Sequence, residues 1–186
     1  MIKDADIRDD LCFYLEEQFG KVRFLEELTI GKARADVVMV TREGIYGIEI
    51  KSDADTYTRL SGQVLYYDKY FDYNIIIVGS KHAHHAHEHV PSYWGIISVE
   101  FYNGKLDFYE IRKPEKSPKA KIQTQIKLMW RRELLNIQLK NSLYKYENKT
   151  RAYVEKYVIS KVDVDKLKDD IIEELYQRDY SGFLEN

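Results

Sequence analysis

Two apolar runs separated by a short polar break constrain this chain more than anything else in it. Arg34-Ala35-Asp36-Val37-Val38-Met39-Val40 is followed, after Arg42-Glu43-Gly44, by Ile45-Tyr46-Gly47-Ile48-Glu49-Ile50-Lys51. Such runs, rich in β-branched residues and bounded by turn residues, read as two strands of an antiparallel hairpin. Strand side chains alternate faces, so Glu49 and Lys51 point to one side while Ile48 and Ile50 point to the other. The hairpin therefore has one apolar face and one charged face.

Its register decides which charges meet. With Arg42-Glu43 as the turn, paired residues add to 85 and Asp36 faces Glu49; with Glu43-Gly44 they add to 87 and Asp36 faces Lys51, with Glu49 diagonal to it. Both registers gather the charged groups on one face. A third strand, Val22 to Ile30, precedes them across a turn at Gly31-Lys32, where pairs add to 63 and Glu27 falls opposite Asp36. Three acids would then line up across adjacent strands. Like charges directly opposite destabilise a sheet, so something cationic is expected among them. Lys51 supplies part of that charge, and a bound Mg²⁺ or Mn²⁺, matched to hard oxygen ligands, would supply the rest.

The elements around this hairpin follow from periodicity. Ile2 to Phe19 reads as a helix on Ile7, Leu11 and Leu15, stopped at Gly20. Asp55 to Phe71 reads as a second helix, with Asp55 at its N-cap and a buried stripe of Leu60, Val64, Tyr67 and Phe71. Gln63 lies on that stripe, where an amide needs polar partners. Asn74 to Val78 is a wholly apolar strand of the kind covered on both faces. Tyr93 to Glu100 and Lys105 to Ile111 make a further hairpin about Asn103-Gly104. Helices are expected at Ile122 to about Tyr146, Thr150 to Ser160 and Val164 to Gln177, after a linker at residues 113–118. The expected fold class is α/β (α+β): a mixed central sheet flanked by helices over residues 1–112, and a C-terminal helical extension over 119–186.

Asp36, then Glu49-Ile50-Lys51 on the following strand, resembles the motif of the PD-(D/E)XK nuclease superfamily. Gln63-Val64-Leu65-Tyr66-Tyr67 is similar to the Q-x-x-x-Y element of its RecB-like exonuclease branch. Ala35 stands where that family often has proline. The resemblance covers less than half of the chain and implies a restriction-endonuclease-like core and Mg²⁺-dependent hydrolysis of DNA. It implies that Asp36 and Glu49, with Glu27, hold the metal and that Lys51 steadies the nucleophile. Gln63 and Tyr67 would orient the substrate strand, and Arg59 would hold a neighbouring phosphate. The alternative is a nuclease-fold protein that binds nucleic acid or a protein partner without cutting. Glu147-Asn148-Lys149 repeats the spacing of Glu49 and Lys51 but follows no acid-bearing apolar strand, and is set aside.

Composition limits the remaining classes. The 186 residues carry a net charge of only −2, unevenly spread. Residues 1–80 hold 10 Lys/Arg against 15 Asp/Glu, whereas residues 105–151 hold 13 against 5. An acidic front and a basic middle suit metal in one place and polyanion in another. Lys119, Lys121, Lys127 and Arg131 are the candidate phosphate contacts of the basic stretch. Cys12 is the single cysteine, no apolar run approaches membrane-spanning length, and the first residues do not look like a signal peptide. A cytoplasmic protein without membrane contact is expected. The five histidines between His82 and His89 have no cysteine beside them and read as a solvated connection rather than a zinc site. The last helices leave a DNA-binding module and a homodimer contact both open.

Overall fold

A computed structural model describes residues 4–178, with side chains from Ile7 onward. The first residues of the expected N-terminal helix lie outside the described residues. The chain divides into two compact units, residues 1–120 and 121–186.

The first unit is a mixed α+β arrangement. Helix α1 (Asp4–Phe19) precedes strands β1 (Arg23–Ile30), β2 (Ala33–Val40) and β3 (Ile45–Lys51). Helix α2 (Leu60–Tyr70) leads to β4 (Tyr73–Gly79), and two single-turn helices, α3 (Ser80–Ala83) and α4 (Ala86–His89), lead to the hairpin of β5 (Gly95–Tyr102) and β6 (Lys105–Arg112). The six strands lie side by side in chain order. Pairing is antiparallel from β1 to β3, parallel from β3 through β5, and antiparallel again at β6. The parallel steps fall where helices make the crossover, because strands running the same way need a long connection.

Local sequence explains the turns. Gly31 opens the β1–β2 turn with φ of +68°, a conformation that costs glycine nothing. At the β2–β3 turn the Thr41 amide donates to the Gly44 carbonyl at 3.0 Å, and the Thr41 hydroxyl accepts from the Glu43 and Gly44 amides. That makes Arg42-Glu43 the two-residue connection and selects the register adding to 85, seen directly in Val37 opposite Ile48 and Val40 opposite Ile45.

Strand alternation then sorts the sheet. Val37, Met39, Ile48, Ile50, Ile75, Ile77, Ile97 and Val99 share one face with Ile7, Leu11 and Leu15 of α1 in a single apolar cluster. The opposite face receives α2. Every residue of β3 is buried, Glu49 and Lys51 included. Gly47 is what lets α2 come so close: a Cβ there would fall 2.1 Å from a Phe71 ring carbon and 2.7 Å from a Tyr67 one.

Several boundaries differ from the sequence expectation. The helix expected from Asp55 starts as a 3₁₀ turn at Tyr57–Arg59 behind Thr56 and becomes α-helical at Leu60. Asp55 does not cap it; its carboxylate turns back to the Ser52 amide at 2.9 Å and hydroxyl at 2.7 Å. The histidine segment is two short helices rather than a loop, and His89 stacks on Tyr57 with centroids 4.0 Å apart. The stretch expected as a linker belongs to the first unit. There the Ser117 amide donates to the Asp72 carbonyl at 2.7 Å and its hydroxyl to the Asp68 carbonyl at 3.0 Å.

The second unit is helical. Helix α5 (Ile122–Gln125) runs into a 3₁₀ turn, followed by α6 (Arg131–Lys140), α7 (Arg151–Lys161) and α8 (Val164–Tyr176). The single long helix expected from Ile122 is broken at Met129 and Trp130, whose backbones are extended, and ends at Lys140. A buried ion pair, Arg178 to Glu133 at 2.6 Å, ties the end of the described chain to α6. Among the described residues no helix is long and apolar enough to cross a membrane.

Candidate functional site

The site grows out of one contradiction: Glu49 has no solvent exposure, in the middle of a strand otherwise made for a hydrophobic core. A buried carboxylate is tolerated only with several donors. Glu49 has three. Its Oε1 accepts from Lys51 Nζ at 2.5 Å and from Gln63 Nε2 at 2.5 Å; its Oε2 accepts from the Tyr67 hydroxyl at 2.7 Å. Lys51 stands two residues along the same face of β3 and is only 7% exposed. Gln63 and Tyr67 come from successive turns of α2, held down by the missing side chain at Gly47.

Asp36 joins them from β2. Pairing of β2 with β3 ends at Val37 and Ile48, and beyond it the Asp36 carboxylate accepts from the Ile50 amide at 2.9 Å. Its own amide donates to the Tyr67 oxygen at 3.3 Å. The single Tyr67 proton goes to the nearer and charged acceptor, Glu49, rather than to the Ile48 carbonyl at 3.3 Å. Burial, then the Glu49 and Asp36 carboxylates, push the Tyr67 hydroxyl well above the usual phenol range, so it remains a donor.

Asp36, Glu49, Lys51 and Gln63 line a cavity of about 530 Å³. The β1–β2 turn contributes Lys32, β2 contributes Arg34 and Asp36, β3 contributes Glu49 and Lys51, the approach to α2 contributes Asp55 and Arg59, and α2 itself contributes Gln63 and Tyr66. Four cationic side chains thus surround three carboxylates. Gln63 Oε1 is buried here without a partner. Turning the amide over would not help, because the oxygen would then face the Glu49 carboxylate. A donor or a cation in the cavity is what that oxygen lacks.

Of the expected site residues, Asp36, Glu49, Lys51, Gln63 and Tyr67 are brought together, and Arg59 lines the same cavity. Glu27 is the departure. The register adding to 63 holds on both sides of it, at Glu26 opposite Val37 and Leu28 opposite Ala35, but Glu27 drops out of the ladder with φ of +53°. Its carboxylate is taken by the Arg8 guanidinium and by Arg34 Nε at 2.5 Å, and it does not line the cavity. The expected row of three acids is therefore two acids and a break in the ladder. Among the described residues no group of three or more His, Cys, Asp or Glu side chains is disposed to hold a metal ion. Asp36 and Glu49 are the pair that could share one, two carboxylates being a number with which Mg²⁺ is commonly held beside water and phosphate.

The expected phosphate contacts fare unevenly. Lys119 binds the buried Asp68 carboxylate at 2.9 Å, beside Tyr93 and Trp94, which donate to the same group. Arg131 donates to the carbonyls of Tyr146 and Glu147. Lys121 and Lys127 are exposed on the helical unit. Lys32, Arg34 and Tyr66 were missed by sequence reasoning, although the β1–β2 turn that brings in Lys32 and Arg34 was correctly placed.

Residues 7–186 match the family model described as bacteriophage P4 protein cII. The chain belongs to that family. No curated protein and no solved structure matches it.

Proposed function

We propose that this P4 cII family chain is a Mg²⁺-dependent deoxyribonuclease of the PD-(D/E)XK type, hydrolysing phosphodiester bonds. The observation that carries this reading is the fully buried Glu49, bonded to Lys51, Gln63 and Tyr67 at the wall of a cavity that also holds Asp36 and is ringed by Lys32, Arg34 and Arg59. A fold gains little by burying an ion pair, since apolar residues of similar size usually serve stability as well or better. Cations around the cavity have no role in sustaining such a pair, but they do suit a polyanion.

Asp36 and Glu49 would hold the cation, and the partnerless Gln63 oxygen would serve its water shell. When bound, a divalent cation offsets phosphate charge and lowers the pKa of a coordinated water. Lys51 presents an ammonium to the phosphoryl oxygens, where negative charge builds during attack. Tyr67 keeps its proton and fixes the Glu49 carboxylate. Arg59, Lys32 and Arg34 hold flanking phosphates and so set the strand's position. One cysteine and a basic middle segment accord with a cytoplasmic protein working on DNA.

One observation favours a second reading. Lys51 and Gln63 already occupy both lone pairs of Glu49 Oε1, as in a nuclease-fold protein that binds nucleic acid or a protein partner without cutting. The deciding experiment incubates the purified chain with linear, nicked and single-stranded DNA in Mg²⁺ or EDTA. Cleavage in Mg²⁺ that vanishes in EDTA and in Asp36→Ala is expected. Intact DNA in both Mg²⁺ and Mn²⁺ would reject hydrolysis and leave the silent scaffold.

A further inference from the structure

The helical unit carries a group of tyrosines outside its aliphatic core. Tyr146 lies in the irregular stretch between α6 and α7. Its ring meets Tyr144 at 4.7 Å, Tyr157 at 5.0 Å and Tyr153 at 5.2 Å between centroids, all edge to face. Tyr144 is 69% exposed and Tyr153 43%. The exposed remainder of residues 144–157 is Lys, Glu, Asn, Thr, Arg and Ala, so tyrosines are the only large apolar groups this surface presents.

The stretch is held in place from beneath. Buried Gln138 accepts from the Leu143 amide on its backbone carbonyl at 2.8 Å and from the Tyr146 amide on its side-chain oxygen at 3.1 Å. Arg131 donates to the next two carbonyls, and the Thr150 hydroxyl caps α7 at the Tyr153 amide, 3.3 Å away. A surface already ordered loses little entropy on binding.

Charge then narrows the ligand. Glu147 pairs with Lys145 at 2.7 Å and Glu155 with Arg151 at 2.7 Å. No carboxylate among the described residues pairs with Lys149 or Lys156. Lys149 sits over the Tyr153 ring, 5.4 Å from its centroid, and Lys156 shares the α7 face of Tyr153 and Tyr157.

We propose that this surface of the helical unit binds single-stranded nucleic acid, with Tyr144 and Tyr153 stacking on unpaired bases and Lys149 and Lys156 on the phosphates between them. Tyrosine rings beside uncompensated ammoniums offer what an unpaired strand has, a base face and a phosphate at short repeat. A duplex hides its base faces and would use the lysines alone. The proposal concerns residues on a different unit from the carboxylate cavity and does not need the nuclease reading.

The test is fluorescence anisotropy of a labelled oligothymidylate with the full chain in EDTA, so that no cutting intervenes. Tyr144→Ala with Tyr153→Ala should weaken binding about tenfold or more, while the matching double phenylalanine variant keeps it. Lys149→Ala with Lys156→Ala should lower the slope of log affinity against log salt by about 1.4. The substituted side chains are exposed, and an unchanged denaturation midpoint will show the fold intact. Parental affinity in the double alanine variant, equal affinity of the parent for a duplex of the same length, or loss of self-association by sedimentation with strand affinity unchanged would each overturn the proposal. Cleavage is read in Mg²⁺ and strand binding in EDTA, so a failed cleavage assay and a failed strand-binding assay point to different claims.

Discussion

At the scale of single residues, Glu49 and Lys51 are a buried pair whose partners were chosen by strand alternation and one turn of helix. Lys51→Ala removes a donor from Glu49 and, under the proposed hydrolysis, from the scissile phosphate as well. Cleavage should fall by roughly two to three orders of magnitude, as for loss of a transition-state donor, with DNA affinity largely kept. Equal turnover by mutant and parent would remove Lys51 from the chemistry. Tyr67→Phe deletes the hydrogen bond to Glu49 Oε2 and should destabilise the fold by about 1.5–3 kcal/mol, the range for a bond to a charged group. Chemical denaturation measures it, and an unchanged midpoint would mean the hydroxyl holds nothing. Glu27 poses the opposite question, because it sits in a backbone region that costs a non-glycine residue about 1 kcal/mol or more. Glu27→Gly and Glu27→Ala both lose the pairs to Arg8 and Arg34, but only glycine relieves the backbone. The glycine variant should therefore be the more stable by about 1 kcal/mol; the reverse order would mean the conformation is unstrained.

At the scale of elements, the seating of α2 on the sheet decides whether the site exists. Gly47 leaves room for Phe71 and Tyr67, and Gly31 leaves room for Tyr66, whose ring carbon would lie 2.7 Å from a Cβ there. Gly47→Ala should cost about 1–3 kcal/mol through overpacking and, under the proposed hydrolysis, should also lower cleavage, because the helix that carries Gln63 and Tyr67 has to move. A variant as stable and active as the parent would show that the contact is slack. The sequence left two hairpin registers open, and the closure of Thr41 on Gly44, with Arg42-Glu43 between them, chose the one adding to 85. The break in the ladder at Glu27 was not legible. It depends on Arg8, from α1, and on Arg34, and no strand pattern announces a helix arginine eighteen or nineteen residues away.

At the scale of the whole molecule, buried phenols set an alkaline limit. Burial raises Tyr67 well above its usual value, raises Tyr46 likewise with help from neighbouring Tyr73, and pushes Tyr57 to about 12. In the unfolded chain these hydroxyls ionise near pH 10, so above that pH the unfolded state binds fewer protons than the folded one. Stability is then fully present below about pH 10 and falls as pH rises toward 12. Denaturation midpoints at pH 9, 10 and 11 should fall in that order, and a flat profile would contradict the burial of these rings.

What the chain's own order of residues determined is local in origin: strands from two-residue alternation, turns from glycine and threonine, and Glu49 and Lys51 on one face because alternation admits no other result. It also determined that Gln63 and Tyr67 share one side of a helix, since they are four residues apart. Tertiary structure alone decided that this side meets Glu49, that Lys32 and Arg34 close over the same cavity, and that Lys119 is committed to Asp68. It also decided that Glu27 pairs with arginines instead of facing Asp36. The physical reason is distance along the chain: alternation and helical pitch act over a few residues, whereas a buried charge takes whichever partners the packed elements bring within hydrogen-bond reach.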